Sequence, residues 1–300
     1  MTDLRGLSAF PITPSDRDGR VDTEAVRRLV ARLRDAGVDS IGLLGSTGTY
    51  AYLTRDERRR ALEAAVDEAA GRTPVLVGIG ALRTDDAVDL ARDARAAGVA
   101  AGLLAPVSYT PLTDDEVFQH FETVAHESAL PICIYDNPGT THFRFTPGLV
   151  ARLSAVPGIV AVKSPAGTSS ETAGHLAELR GQVPEGFSLG YAADWNATEA
   201  LIAGGAAWYS VLGGILPGIC LRIVRAAQQG DAAEARRLDA ALAPVWDLFR
   251  AHSSLRTVYV LADLLDIVRA DPPRPILPLG DAARHEIAET YRALPAEVTG

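Results

Sequence analysis

Eight short runs of aliphatic and β-branched residues recur along the chain, and stretches with the apolar spacing of an amphipathic helix lie between them. The runs are Leu7–Ile12, Ser40–Leu44, Val75–Ile79, Ala101–Ala105, Pro131–Tyr135, Ile159–Lys163, Ser188–Tyr191 and Ala207–Leu212. Helical patterns over Thr23–Ala36, Arg55–Ala70, Thr84–Ala97 and Asp114–Ser128 separate them. Thr54, Thr84 and Thr113 each precede acidic residues, as N-caps do. This alternation predicts parallel strands joined by helical crossovers. Eight such units make a closed (β/α)8 TIM barrel, typically ~250 residues. An open doubly wound sheet is the other arrangement, but no GxGxxG follows the first run.

The barrel is expected over residues 1–228. Residues 229–300 are expected to form a C-terminal helical appendage, with helices near Ala232–Ala251, Ser254–Val268 and Asp281–Ala293. The proline-rich segment Asp271–Gly280 separates the last two.

The formal net charge of −9 argues against nucleic acid as a partner. The arginines sit mostly in mixed-sign helices such as Thr54–Arg72, the pattern of a solvated face. Cys133 and Cys220 lie in apolar runs without a CxxC and read as core thiols. The opening residues carry no charged-then-apolar leader, and no apolar run approaches the ~18 residues of a membrane span. A cytoplasmic protein without membrane contact is the expectation.

One residue breaks the composition. Of 29 basic side chains, 28 are arginine, and the single lysine, Lys163, closes the apolar run "VAVK". Barrel active sites lie at the C-terminal strand ends, so this amine is expected in the mouth. Desolvation there disfavours an ammonium, and a neutral amine condenses with a ketone to a Schiff base. Arginine, protonated at any working pH, cannot do this. The bland alternative is a lysine whose stem packs while its ammonium snorkels to water.

Tyr135 closes the neighbouring fifth run, within reach to shuttle protons. Gly45-Ser46-Thr47-Gly48, after the second run, offers hydroxyls and backbone N–H groups to a carboxylate. The six histidines form no HxH or HxxxH pair, so no metal is expected. "LGGILPG" after the eighth run fits either a phosphate cradle or a tight turn.

These residues resemble the dihydrodipicolinate synthase / N-acetylneuraminate lyase family of Schiff-base lyases. "GSTGT" is similar to the family's Gly-Thr-Thr-Gly-Glu loop, "YDNPG" to its Tyr-Asn-x-Pro segment, and "VAVKSPAG" to its lysine strand. The resemblance runs from "AFPITP" to "PPRPILPL". It implies a (β/α)8 barrel, a homotetramer arranged as a dimer of dimers, and no cofactor beyond a covalent Schiff base. Lys163 would bind pyruvate or another 2-oxo acid, Tyr135 would carry protons, and Thr47 would pass protons to Tyr135. Ser46 and Thr47 would hold the substrate carboxylate, and Gly190 and Tyr209 would line the pocket.

Two departures bear on the reaction. The family's synthases carry an arginine for the carboxylate of aspartate semialdehyde, and that position falls at Thr140, with His142 and Arg144 nearby. Their tyrosine from a neighbouring subunit falls at Ser108, with Tyr109 one place along. Losing a charge-assisted hydrogen bond costs about 1.5–3 kcal/mol. The expectation is therefore a class I aldolase or dehydratase acting on a 2-oxo acid. Its specificity side would involve the loops around Ser108 and Tyr109, Thr140–His142, Tyr191–Asn196 and Tyr209. Synthesis of 4-hydroxy-tetrahydrodipicolinate, or a non-catalytic 2-oxo-acid binder, are the alternatives.

Overall fold

The computed structural model describes residues 4–299. The outermost residues of the two expected units, 1–3 and 300, lie outside them. Eight strands, β1 (Gly6–Ala9), β2 (Ser40–Leu43), β3 (Val75–Gly78), β4 (Ala101–Leu104), β5 (Ile132–Tyr135), β6 (Ile159–Pro165), β7 (Ser188–Ala192) and β8 (Ala207–Ser210), pair in parallel in chain order. The sheet closes where Gly6 to Ala9 pair with Ala207 to Ser210, giving the (β/α)8 barrel.

Strand alternation sends successive side chains to opposite faces and builds two cores. Val162, Ile134 and Trp208 face the helices and join the large outer core. Ala161, Cys133, Tyr135, Ala207 and Tyr209 belong to an inner cluster with Leu76, Leu103 and Phe10. Lys163 has the parity of Ala161, so the same alternation turns it inward. Both cysteines are buried core thiols, and burial pushes the Cys133 thiol up to about 12.

The helices Thr23–Ala36 and Asp114–Ser128 form over the expected residues. Thr113 completes a capping box with Glu116, and the Thr54 hydroxyl accepts from the Glu57 N–H. Thr84 does not cap: Arg83 occupies that position, and the Thr84 hydroxyl instead meets His120 Nδ1 at 3.0 Å. The first strand stops at Ala9, short of the expected Ile12, because Pro11 has no N–H for the ladder. The expected helix 232–251 is two, Ala232–Ala241 and Ala243–His252, since Pro244 suits only a first turn. Ser253, at φ 70°, then redirects the chain into a third helix, Ser254–Leu264. Asp281–Arg292 and the short Ala296–Thr299 follow.

Candidate active site

Lys163 and Tyr135 stand side by side in the β5–β6 register. Lys163 is 5% exposed, so the stem cannot carry its ammonium out to bulk water and snorkelling is ruled out. Its Nζ lies 4.0 Å from the centroid of the Tyr135 ring and 4.2 Å from that of Phe10, with Tyr209 at 6.0 Å. Aromatic faces of this kind hold a cation in a site with little water, which suits a protonated imine.

Phe10 reaches this position because β2 carries glycine opposite it. A Cβ on Gly42 would sit 2.2 Å from the Phe10 ring. Gly190 does the same for Tyr209, whose ring lies 2.4 Å from where a Cβ would be. Gly190 is in register with Lys163, so its absent side chain shapes the floor under the amine.

The Tyr135 hydroxyl is fixed from two sides. It donates to Ser46 Oγ at 3.0 Å and accepts from Asn137 Nδ2 at 2.9 Å. Thr47 is buried beside Ser46, but the hydroxyl that meets Tyr135 is that of Ser46, so the expected Thr47–Tyr135 link is not the one formed. Asn137 went unremarked in the sequence, although "YDNPG" held the signal: it stands two residues beyond Tyr135, the spacing that returns a side chain to the same face.

Lys163, Ser46, Tyr135 and Tyr209 line a cleft of about 340 Å³ at the C-terminal ends of the strands. Trp195, Val211, Phe249 and Ser254 line it as well. Phe249 and Ser254 come from the C-terminal helices, and nothing local in the sequence marked them, because only the packing of those helices brings them to the mouth. A larger cavity of about 760 Å³ between Arg5 and Arg180 opens at the N-terminal ends of β7 and β8 and holds no primary side-chain amine.

The remaining expected site residues lie apart from the cleft. Ser108 Oγ donates to the Thr110 carbonyl within its own loop, and Tyr109 is 97% exposed. Thr140 is exposed and donates to the Asn137 carbonyl from a one-turn helix, Pro138–Thr141. His142 ends that turn in a left-handed conformation and faces solvent.

Two carboxyl residues share the cleft lining with the lysine. Asp136, whose backbone N–H donates to the Lys163 carbonyl at 3.0 Å, lines the cleft. Its Oδ1 has no hydrogen-bond partner among the described residues. Burial pushes this carboxyl up to about 6, against the opposing pull of the Phe145 N–H and the Arg144 charge. Asp194 is fully satisfied: Trp208 Nε1 (3.0 Å), Ser210 Oγ (3.2 Å) and the Val211 and Leu212 N–H groups (3.3 and 2.7 Å) all donate to it. Burial still pushes it up, while those four donors pull it down. No group of three or more His, Cys, Asp or Glu side chains able to hold a metal ion occurs among the described residues.

The site can be compared with known proteins. Residues 3–294 match the model of the dihydrodipicolinate synthetase family. A 4-hydroxy-tetrahydrodipicolinate synthase of Methylococcus capsulatus is 33% identical over 290 residues, covering 96% of this chain and 98% of that protein. The crystal structure of a dihydrodipicolinate synthase from Agrobacterium tumefaciens superposes with a TM-score of 0.95 at 53% identity, over 98% of this chain and 99% of the other. The synthase from Aquifex aeolicus gives 0.89 at 27% identity, over 96% and 97%. A buried strand-end lysine beside a hydrogen-bonded tyrosine thus sits within a likeness that runs nearly end to end, and the chain belongs to the dihydrodipicolinate synthetase family, whose members are lyases acting through a lysine Schiff base.

Proposed function

We propose that Lys163 is the Schiff-base residue and that the protein makes or breaks a C–C bond next to the imine of pyruvate or a similar 2-oxo acid. The observation that carries this is the placement of the chain's only lysine: buried, at a strand end, 4.0 Å from the ring of a tyrosine whose hydroxyl is held by Ser46 and Asn137. The neutral amine adds to the keto carbon, and water then leaves the carbinolamine. Tyr135, in line with Ser46, gives and takes the protons of these steps. The iminium so formed draws electrons from the adjacent carbon, so a proton or a C–C bond there can be released. Ser46 and Thr47 hold the substrate carboxylate. The cation–π surroundings of Phe10 and Tyr135 stabilise the iminium, and the reaction needs no cofactor other than this covalent bond.

Borohydride trapping tests the reading. Incubation with pyruvate and borohydride followed by intact mass should give one pyruvate-sized adduct, lost in Lys163→Arg. No adduct with pyruvate or any other 2-oxo acid would sink the assignment.

A second reading, condensation of pyruvate with aspartate semialdehyde, is favoured by the names of the 33%-identical relatives. Against it, Thr140 stands where an arginine would be needed. The working protein in this proposal is a cytoplasmic homotetramer, and recovery from the membrane fraction of lysed cells would contradict the first part.

A further inference from the structure

The lining of the cleft is of two chemical kinds. Near the amine are the hydroxyls of Ser46 and Tyr135 and the Asn137 amide. The wall from the ends of β7 and β8 and from the C-terminal helices is built of Ala192, Trp195, Val211 and Phe249, with the Ser254 hydroxyl and Asp194, whose carboxylate is taken up by its four donors. Lys163 is the only cationic side chain among the described residues that line the cleft, and in the enamine that meets the second reactant its nitrogen carries no charge. The one carboxyl there without a full set of donors, Asp136, would repel an anion when ionised. Arg250 stacks on Trp195 at 5.6 Å from the ring centroid but is paired with Asp247 at 3.0 Å and lies outside the lining. Arg144 is exposed.

A carboxylate entering beside this wall would lose its hydration and find no guanidinium in return. A polyhydroxylated chain would meet one hydroxyl and several apolar surfaces. An aromatic or branched aliphatic group would bury apolar area against Trp195 and Phe249. A cleft of about 340 Å³ is at the small end of the roughly 300–1,000 Å³ usual for ligand sites, so the group is compact.

From this we infer that the second reactant is an uncharged aldehyde with a compact apolar or aromatic end, and that Trp195 and Phe249 select it. The inference rests on the Schiff-base reading above. In the step itself, C3 of the pyruvate enamine attacks the aldehyde carbon and forms the new C–C bond. The carbonyl π electrons take a proton, relayed through Tyr135, and become a hydroxyl. The enamine nitrogen lone pair restores the iminium, which water hydrolyses to a 4-hydroxy-2-oxo acid and free Lys163. Atoms and electrons balance with no further reagent, and the reverse sequence cleaves the same product.

The test compares three aldehydes at fixed pyruvate: benzaldehyde, glyceraldehyde and aspartate semialdehyde, reading product by mass and kcat/KM by pyruvate loss. Benzaldehyde should exceed each of the others at least tenfold. Phe249→Ala should raise the benzaldehyde KM about tenfold with a smaller change in kcat, and Phe249→Leu should recover part of the loss. A preference for the carboxylate-bearing or the polyhydroxylated aldehyde overturns the inference, as does consumption of none of the three. An unchanged benzaldehyde KM in a folded Phe249→Ala protein overturns the assignment of that residue. Pyruvate trapping on the wild-type protein, run in parallel, separates the failures. An adduct without benzaldehyde turnover defeats this inference alone, and no adduct defeats the Schiff-base reading beneath it.

Discussion

At the scale of single residues, the site depends on side chains whose chemistry was visible and on others whose role needed three dimensions. Lys163, Tyr135 and Ser46 stand at strand ends, where the barrel rule and a period of two make position legible. Phe10 was not legible, because its place beneath the amine depends on the side chain missing from Gly42 on another strand. Asp136 carries a prediction of its own. Its folded carboxyl titrates near 6, above the ordinary 3.8, so between those values the native state binds more protons than the unfolded chain. Stability from this group is therefore highest at acid pH and falls as pH rises through that window. Asp136→Asn should raise stability at pH 7.5 by up to about 3 kcal/mol, with the gain vanishing by pH 4 in denaturant titrations. A variant no more stable than wild type at pH 7.5 would show that the carboxyl is better solvated than its burial implies. His120 works in the opposite sense: burial lowers it to about 4, so its neutral form supports the fold above 6.5 and that support is lost as pH falls.

At the scale of elements, the junction after β8 shows how a loop is held still without rigid secondary structure. Asp194 begins the helix Asp194–Ile202 and collects donors from β8 and from the two residues after it. It thereby ties the ends of β7 and β8 together beside the cleft. Asp194→Ala would leave an indole N–H, a hydroxyl and two backbone N–H groups without an acceptor, at about 1–3 kcal/mol for each one left dry. A loss of at least about 3 kcal/mol in chemical denaturation is expected, and a loss below 1 kcal/mol would mean that water replaces the carboxylate. The C-terminal helices carry the complementary lesson. Their existence was readable from apolar spacing, and the break at Leu242 follows from Pro244. Which of their residues would reach the cleft that holds Lys163, more than 80 positions earlier in the chain, was not readable, since Phe249 and Ser254 look like ordinary members of apolar stripes.

For the whole molecule, the alternation of runs and helical patterns was enough to give the closed sheet, because eight parallel strands with right-handed crossovers leave few other closures. Assembly is a separate matter. Leu82, 67% exposed, and Tyr109, at 97%, are large apolar side chains on the loops after β3 and β4, and burial of such side chains against another copy is the simplest use for them. Light scattering coupled to size exclusion should give four times the chain mass of 31.7 kDa, and Tyr109→Asp should lower it. A wild-type monomer would end the tetramer proposal.

The arginine-only surface has a practical consequence. An amine-directed acylating or reductive label applied to the native protein can meet only two kinds of target, the chain's first nitrogen and Lys163 in its aromatic cage. Under the proposed function, reagent uptake at the second target then counts competent active centres directly. The same measurement, repeated with a bound 2-oxo acid, reports occupancy without a turnover assay, which a lysine-rich relative would obscure.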